Sequence, residues 1–125
     1  MILDTNALSA AADNDAALVA ILARAQELAI PVIVLGEYRH GIAQSRNRTS
    51  YESWISGLLN DCVVLDVNEP TTHYYAEITL ELKRKGKPIP TNDIWIAALC
   101  RQHSLPLLSQ DRHFDWIAGS KRIGW

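Results

Sequence analysis

Short apolar runs alternate along this chain with segments in which apolar residues recur at helical spacing. A continuous apolar run bounded by polar residues is typical of a strand that is buried on both faces. Four strands are predicted at residues 2–3, 30–34, 62–67 and 105–108, and a weak fifth at 122–125. Pro31 lies near the start of the second run, where a strand tolerates proline.

The intervening segments predict amphipathic helices, because their apolar residues recur every three or four positions. The predicted helices lie around residues 18–25, 35–42, 51–59, 75–82, 91–100 and 114–117. Thr91 is expected to cap the fifth of these, whose apolar residues point to all sides and therefore predict burial. Apolar strands separated by helices are typical of a parallel sheet with helices on both faces, so the predicted fold class is α/β.

Four acidic residues fall at one edge of the predicted sheet, where the carboxyl ends of its strands meet. Asp4 directly follows the first strand, and Glu37 lies three residues past the second, in the first turn of its helix. Asp93 lies in the first turn of the buried helix, and Asp111 follows the fourth strand. Ligand sites of parallel sheets lie at this edge, so we expect the four side chains to converge.

Each acid alone has an ordinary explanation, as a helix N-cap or as a favourable charge near the positive end of a helix. Four together would repel one another and would be partly protonated unless a cation neutralised them. Ligation by oxygen alone suits a hard cation such as Mg²⁺ or Mn²⁺. Such a site can activate a water molecule and stabilise the charge that develops on a phosphate.

Length and composition indicate one compact domain over residues 1–125. The chain has a mass of 14.0 kDa and is 48% hydrophobic and 21% charged, which argues against disorder. Its formal net charge of -2 argues against a nucleic-acid partner. Removal of the four clustered negative charges by bound metal would leave +2, however, so the position of the acids matters more than the total.

No apolar stretch is long enough for a membrane span, and no secretory signal is recognisable at Met1, so a cytoplasmic location is expected. The two cysteines, Cys62 and Cys100, have apolar neighbours and no metal-ligand spacing. We expect both to be buried, reduced thiols.

Four sequence blocks occur in a recognisable order. They are D-T-N at 4–6, L-G-E-Y-R-H-G at 35–41, P-T-N-D-I-W-I-A-A at 90–98 and L-S-Q-D-R-H-F at 108–114. With these blocks the chain resembles the PIN-domain family, and within it the VapC-type toxins of prokaryotic toxin–antitoxin pairs. D-T-N alone would be a weak signal, whereas the ordered set is a strong one and spans nearly the whole chain.

The resemblance implies a three-layer α/β/α fold around a central, mostly parallel sheet of four to five strands. It also implies a Mg²⁺- or Mn²⁺-dependent endoribonuclease with one or two ions, an RNA substrate, a cognate antitoxin protein and a homodimer. Asp4, Glu37, Asp93 and Asp111 match the family's catalytic, metal-binding acids. Asp4 and Asp93 are expected to bind the metal directly. Glu37 is expected to act through water or to orient the nucleophile. Asp111 is expected to support the metal ligands without binding the metal itself.

Asn6 and Ser109 match polar positions that support these acids. Arg39, His40 and Lys87 are basic residues that could contact RNA phosphates or simply form a solvated face. The remaining acid near the fourth block, Asp115, either faces solvent or takes part in the site, and the sequence leaves both open. The remaining histidines lack metal-ligand spacing and are expected to be surface or hydrogen-bonded core residues. These histidines are His73, His103 and His113.

Two other functions are weighed against the nuclease. A silent PIN-like module that only binds RNA or protein would be expected to lack one of the acids, and all four are present. A phosphatase on a similar sheet would carry a second aspartate two residues after the first, where this chain has Asn6, and no phosphate-binding glycine loop occurs.

Overall fold

The structure, a computed structural model, describes residues 1–125 and contains five strands, six α-helices and one 3-10 helix. The strands are β1 Ile2–Leu3, β2 Ala29–Pro31, β3 Val63–Leu65, β4 Leu107–Leu108 and β5 Arg122–Ile123. The helices are α1 Thr5–Ala12, α2 Ala16–Arg24, α3 Val32–Ile42, α4 Arg48–Leu59, α5 Glu69–Lys85 and α6 Thr91–His103, and the 3-10 helix is Arg112–Trp116. None of the helices combines the length and the apolar composition that a membrane span requires.

The five strands form one parallel sheet in the order β3-β2-β1-β4-β5. Ile2 of β1 pairs with Ala29 of β2 on one side and with Leu107 of β4 on the other. Helices form the outer layers, in which α1 packs against α2, α3 and α4, and α5 packs against α6. The predicted three-layer α/β/α fold with a parallel sheet of four to five strands is therefore confirmed.

The order of the strands creates a crevice at one position in the sheet. From β1 the chain proceeds through β2 to β3 in one direction, and it then returns to the other side of β1 with β4 and β5. The direction of winding therefore changes between β1 and β4. Ligands of open parallel sheets bind beside the carboxyl ends of the strands at such a switch point.

The hydrophobic core contains 25 buried residues from the sheet and from both helical layers. Five of them lie within one stretch of α6, between Ile94 and Leu99, which confirms that this helix is buried on several sides. Phe114 of the 3-10 helix is also buried, so the segment that follows β4 is anchored in the core. This packing fixes the backbone around the sheet edge that carries the acids.

The second strand differs from its prediction. It runs from Ala29 to Pro31, and α3 begins directly afterwards at Val32, so Pro31 lies at the end of the strand. The apolar run continues because α3 buries Val34 and Leu35 in its first turn. A short apolar run does not distinguish a buried strand from a buried helix, which explains the error.

Other predicted boundaries were also wrong by a few residues. The third strand is Val63–Leu65 and the fourth is Leu107–Leu108, both shorter than predicted. Thr91 does not cap α6, because Pro90 occupies the N-cap position and makes no side-chain hydrogen bond there. The helix preceding Gly86 ends as expected, since Gly86 adopts a φ of 64°, which glycine reaches without strain.

Candidate active site

The four predicted acids line a single open cleft of about 750 Å³ at the carboxyl edge of the sheet, and its walls are almost entirely polar. Asp4 follows β1, Asp93 lies in the first turn of α6, and Asp111 precedes the 3-10 helix. Glu37 is the sixth residue of α3 and thus lies in its second turn, one turn further along than predicted. The structure brings all four carboxylates together, as the strand-end rule predicts.

Asp4 is the most deeply buried of the four acids, with 3% of its surface exposed. Its Oδ1 atom accepts a 2.8 Å hydrogen bond from the backbone N–H of Thr5. Its Oδ2 atom accepts a 2.6 Å bond from the Ser109 hydroxyl. Burial raises the pKa of Asp4, these two hydrogen bonds oppose the rise, and the charges of Asp111 and Glu37 add to it.

Asn6 and Ser109 connect the acids across the switch point. Asn6 Nδ2 lies 3.3 Å from Asp111 Oδ2 and 3.4 Å from both Asp4 Oδ2 and Ser109 Oγ. Its Oδ1 atom accepts a bond from the backbone N–H of Gln110, and Ser109 Oγ accepts one from Asp111. These bonds hold the segment after β4 against the start of α1, where both residues contact the acids that they were expected to support.

Glu37 reaches the cleft from α3 and is held by one hydrogen bond. The Thr5 hydroxyl donates to Glu37 Oε1 over 3.1 Å. Because the backbone N–H of Thr5 also bonds to Asp4, the first residue of α1 contacts two of the four acids. The side chain is partly exposed and therefore remains accessible from the cleft.

Asp93 has the largest change in acidity among the acids in the cleft. Burial raises its pKa to about 6, the negative charges of Asp4, Asp111 and Glu37 add to the rise, and His113 opposes it. A carboxyl group with this pKa is about one tenth protonated at pH 7. Burial, reinforced by the charges of the other three acids, therefore keeps Asp93 partly protonated at neutral pH.

His113 lies beside the cleft, in contact with one of its acids, although the sequence predicts no site role for it. Its Nε2 atom lies 2.9 Å from Asp93 Oδ2. Together with Asp111, the two residues offer ligand atoms that all lie within 4.8 Å of one another, close enough to hold one ion. No spacing motif marks His113, and the available signal was its position two residues after Asp111.

The predicted RNA-binding residues lie outside the walls of the cleft. Arg39 lies 4.0 Å from Glu52 of α4, and His40 is exposed on the same helix. Lys87 Nζ lies 5.0 Å from the centre of the Trp116 ring, in a cation–π contact. None of the three pairs with an acid of the cleft.

Asp115 faces away from the cleft and pairs with Arg122. Its two carboxylate oxygens each accept a 3.0 Å hydrogen bond from that guanidinium. Arg122 also donates to the backbone carbonyl of Ser109, which links the pair indirectly to the site. Asp115 therefore contacts none of the acids of the cleft directly.

The remaining histidines and both cysteines lie apart from the cleft. His73 lies 3.5 Å from Glu69 on the surface of α5, and His103 is exposed at the end of α6. Cys62 and Cys100 form no disulfide, and both are only half-buried, whereas the sequence predicts full burial. Burial of the Cys100 thiol raises its pKa to about 12, so this thiol stays protonated at neutral pH.

Comparison with known proteins places the chain among similar sequences and folds. Residues 1–120 match the family model of the PIN domain. The chain is 33% identical over 78 residues to a protein named ribonuclease VapC2 from Rickettsia felis, and the match covers 62% of this chain and 58% of that protein. The match thus spans less than two thirds of the length of that relative.

Two solved structures resemble the fold over almost its whole length. One is the structure of VapBC2 from Rickettsia felis bound to a promoter DNA fragment. It superimposes with a TM-score of 0.87 at 26% sequence identity, and the match covers 99% of this chain and 97% of that chain. VapBC-1 from nontypeable Haemophilus influenzae gives a TM-score of 0.85 at 26% identity, with 99% and 96% covered. The similarity includes every strand and helix that carries an acid of the cleft.

Proposed function

Because the chain belongs to the PIN-domain family, we propose that it is a Mg²⁺- or Mn²⁺-dependent endoribonuclease that hydrolyses RNA phosphodiester bonds. One observation carries this proposal above the others. Asp4, Glu37, Asp93 and Asp111 line one polar cleft at the switch point of the sheet. The relative named ribonuclease VapC2 supports RNA as the substrate.

The donor set of the cleft fits one or two hard divalent cations. Carboxylate oxygens are the ligands that Mg²⁺ and Mn²⁺ prefer, and several of them converge here. The pKa of Asp93 is raised to about 6 partly by the charges of the other acids, so a cation would relieve an existing repulsion. Asp93 and Asp111 are the acids closest to a common ion position.

A bound divalent cation would supply a water molecule of lowered pKa and would neutralise charge on the scissile phosphate. Hydrogen bonds within the chain hold carboxylates of the cleft in fixed orientations for this chemistry. Ser109, Asn6 and the Thr5 N–H hold Asp4 in place, and the bonds from Ser109 and Thr5 oppose the rise in its pKa. Glu37, held by the Thr5 hydroxyl, presents a carboxylate that can orient the attacking water or accept its proton.

Arg39, His40 and Lys87 are proposed to contact the RNA backbone beyond the cleft. All three are exposed. Lys87 lies beside Trp116, which is 39% exposed and whose ring neighbours that of His113. A phosphate at Lys87 would therefore be near the scissile position, although outside the cleft itself.

We also propose that the enzyme is the toxin of a toxin–antitoxin pair, with a cognate antitoxin protein and a homodimeric assembly. The support is the similarity to VapBC2 and VapBC-1 over almost the whole chain. A cytoplasmic location remains a prediction from the sequence.

The test is incubation of the purified protein with total RNA in the presence of Mg²⁺ or Mn²⁺ and, separately, of EDTA. Asp4→Asn removes one negative charge from the cleft but keeps an oxygen for the Thr5 N–H. Asp61→Asn is the matched control, since Asp61 is exposed and lies before β3. We expect discrete fragments from wild type and Asp61→Asn with metal only. Undiminished cleavage by Asp4→Asn, or in EDTA, would contradict the proposal.

A further inference from the structure

His113 is held in a fixed position beside the cleft by its neighbours in the 3-10 helix. Its ring centre lies 4.8 Å from that of Phe114, which is buried in the core, and 6.2 Å from that of Trp116. Only 23% of the His113 side chain is exposed. The imidazole is therefore positioned by packing rather than free to rotate in solvent.

The Nε2 atom of His113 is buried and makes no hydrogen bond. It lies 2.9 Å from Asp93 Oδ2, but this oxygen is outside the direction in which the ring nitrogen donates. A buried polar atom without a hydrogen-bond partner destabilises the folded state. A bound ion that coordinates Nε2 would explain why the atom lies there. The hydrogen-bonding capacity of Nε2 is thus available to a further group beside Asp93.

The separation between the two atoms matches that of neighbouring ligands on one metal ion. Adjacent ligands of an octahedral ion with bonds of about 2.1 Å are about 3.0 Å apart. Nε2 of His113 and Oδ2 of Asp93 are 2.9 Å apart. Asp111 offers a third ligand atom within 4.8 Å of both.

We infer that His113 Nε2 is a nitrogen ligand of the cation held by Asp93 and Asp111, and that it makes the site prefer Mn²⁺ to Mg²⁺. This inference rests on the metal-dependent activity proposed above. Imidazole nitrogen favours first-row transition ions, whereas Mg²⁺ is bound almost entirely by oxygen. A site of two carboxylates and one imidazole therefore selects Mn²⁺ over Mg²⁺ more strongly than a site of carboxylates alone.

The experiment measures metal binding by the full chain in the absence of RNA. Mn²⁺ and Mg²⁺ affinities are determined by calorimetry for wild type, His113→Ala and His113→Gln, and electron spin echo spectra of bound Mn²⁺ report coupling to an imidazole nitrogen. His103→Ala is the control, because His103 is exposed at the opposite end of α6 from Asp93. Circular dichroism and thermal unfolding confirm that each variant is folded.

We expect nitrogen coupling in wild type and His103→Ala, and none in either His113 variant. Mn²⁺ affinity should fall by about tenfold or more in His113→Ala, while Mg²⁺ affinity changes by less than about threefold. Bound Mn²⁺ without nitrogen coupling in wild type would overturn the inference, as would equal losses of Mn²⁺ and Mg²⁺ affinity. Failure of wild type to bind either ion would instead overturn the proposed metal-dependent function, and this inference with it.

Discussion

Ser109 Oγ donates a 2.6 Å hydrogen bond to Asp4 Oδ2, and both residues are almost completely shielded from solvent. Asp4 follows β1 and Ser109 follows β4, so this bond joins the ends of two adjacent strands at the switch point of the sheet. It is also the hydrogen bond that most strongly opposes the rise in the pKa of Asp4. One contact therefore joins the two strands and favours the ionised form of the buried carboxylate.

Ser109→Ala should lower both stability and metal affinity. Loss of the hydroxyl leaves Asp4 Oδ2 with only the 3.4 Å contact from Asn6, so the pKa of Asp4 rises further. A buried acceptor left without its partner costs about 1–3 kcal/mol. Urea unfolding and Mn²⁺ calorimetry measure the two effects. Ser53→Ala on the exposed side of α4 serves as control, and equal behaviour of the two variants would exclude the role given to Ser109.

Asp93→Asn should stabilise the metal-free protein at neutral pH. The pKa of Asp93 is about 6 in the folded state, above its ordinary value of 3.8, so the folded state binds the proton more tightly than the unfolded state does. The contribution of this group to stability is therefore complete below pH 4 and is lost as pH rises through 6. The variant should equal wild type near pH 4 and exceed it by roughly 1–3 kcal/mol at pH 7.

Urea unfolding in EDTA at several pH values tests this prediction. Because other groups titrate as well, the informative quantity is the difference between variant and wild type at each pH. A difference that does not grow between pH 4 and pH 7 would mean that burial and the neighbouring charges do not destabilise the ionised form of Asp93.

Addition of metal should reverse this order of stability. An ion that binds only the folded state stabilises it by about 4.1 kcal/mol at a concentration of one thousand times its dissociation constant, which exceeds the advantage of the variant without metal. Wild type should therefore gain thermal stability with Mn²⁺, and Asp93→Asn should gain little. Ca²⁺-free buffers and an EDTA reversal control the experiment, and an equal gain in both proteins would place the ion elsewhere.

Lys87→Gln should weaken RNA binding without changing metal binding. The Lys87 ammonium lies over the Trp116 ring, outside the cleft, where it can contact a phosphate of the substrate. Loss of one phosphate contact should reduce the slope of log affinity against log salt by about 0.7 for single-stranded RNA. Filter binding at several salt concentrations measures it, with Lys83→Gln on α5 as control. Identical slopes for all three proteins would remove Lys87 from the RNA path.

Asp115→Asn should retain cleavage activity within about threefold of wild type. The carboxylate pairs with Arg122 on the protein surface and does not line the cleft. Exposed ion pairs contribute at most about 1 kcal/mol, so stability should change little. The cleavage rate at saturating Mn²⁺ decides the matter, and a loss as large as that of Asp4→Asn would assign Asp115 a direct role.

The sequence was sufficient to predict the fold and the convergence of the four acids. The carboxyl ends of parallel strands meet at one edge, so Asp4 and Asp111 could be placed together without knowledge of side-chain positions. The end of the second strand was harder to predict from the sequence. Val32 and its apolar neighbours have a composition typical of a strand, but they are helical in the structure. The buried face of α3 overrides their local preference.

The position of His113 could not be predicted from spacing. It contacts Asp93, which lies twenty residues earlier in the chain and on a different helix, so the contact arises from tertiary packing. The hydrogen bonds of Asn6 to Ser109 and Asp111 depend in the same way on the approach of β4 to β1. Topology thus predicts which residues share an edge, whereas packing decides which of them touch.

The most direct test of the account follows metal binding and RNA cleavage in one titration. Mn²⁺ is added to metal-free protein with labelled RNA, and bound Mn²⁺ and cleavage rate are measured at each concentration. We predict that the two curves rise together in wild type and that both stay at baseline in Asp93→Asn. Cleavage that proceeds before any Mn²⁺ is bound, or that survives in Asp93→Asn, would contradict the assignment of the cleft as a metal-dependent ribonuclease site.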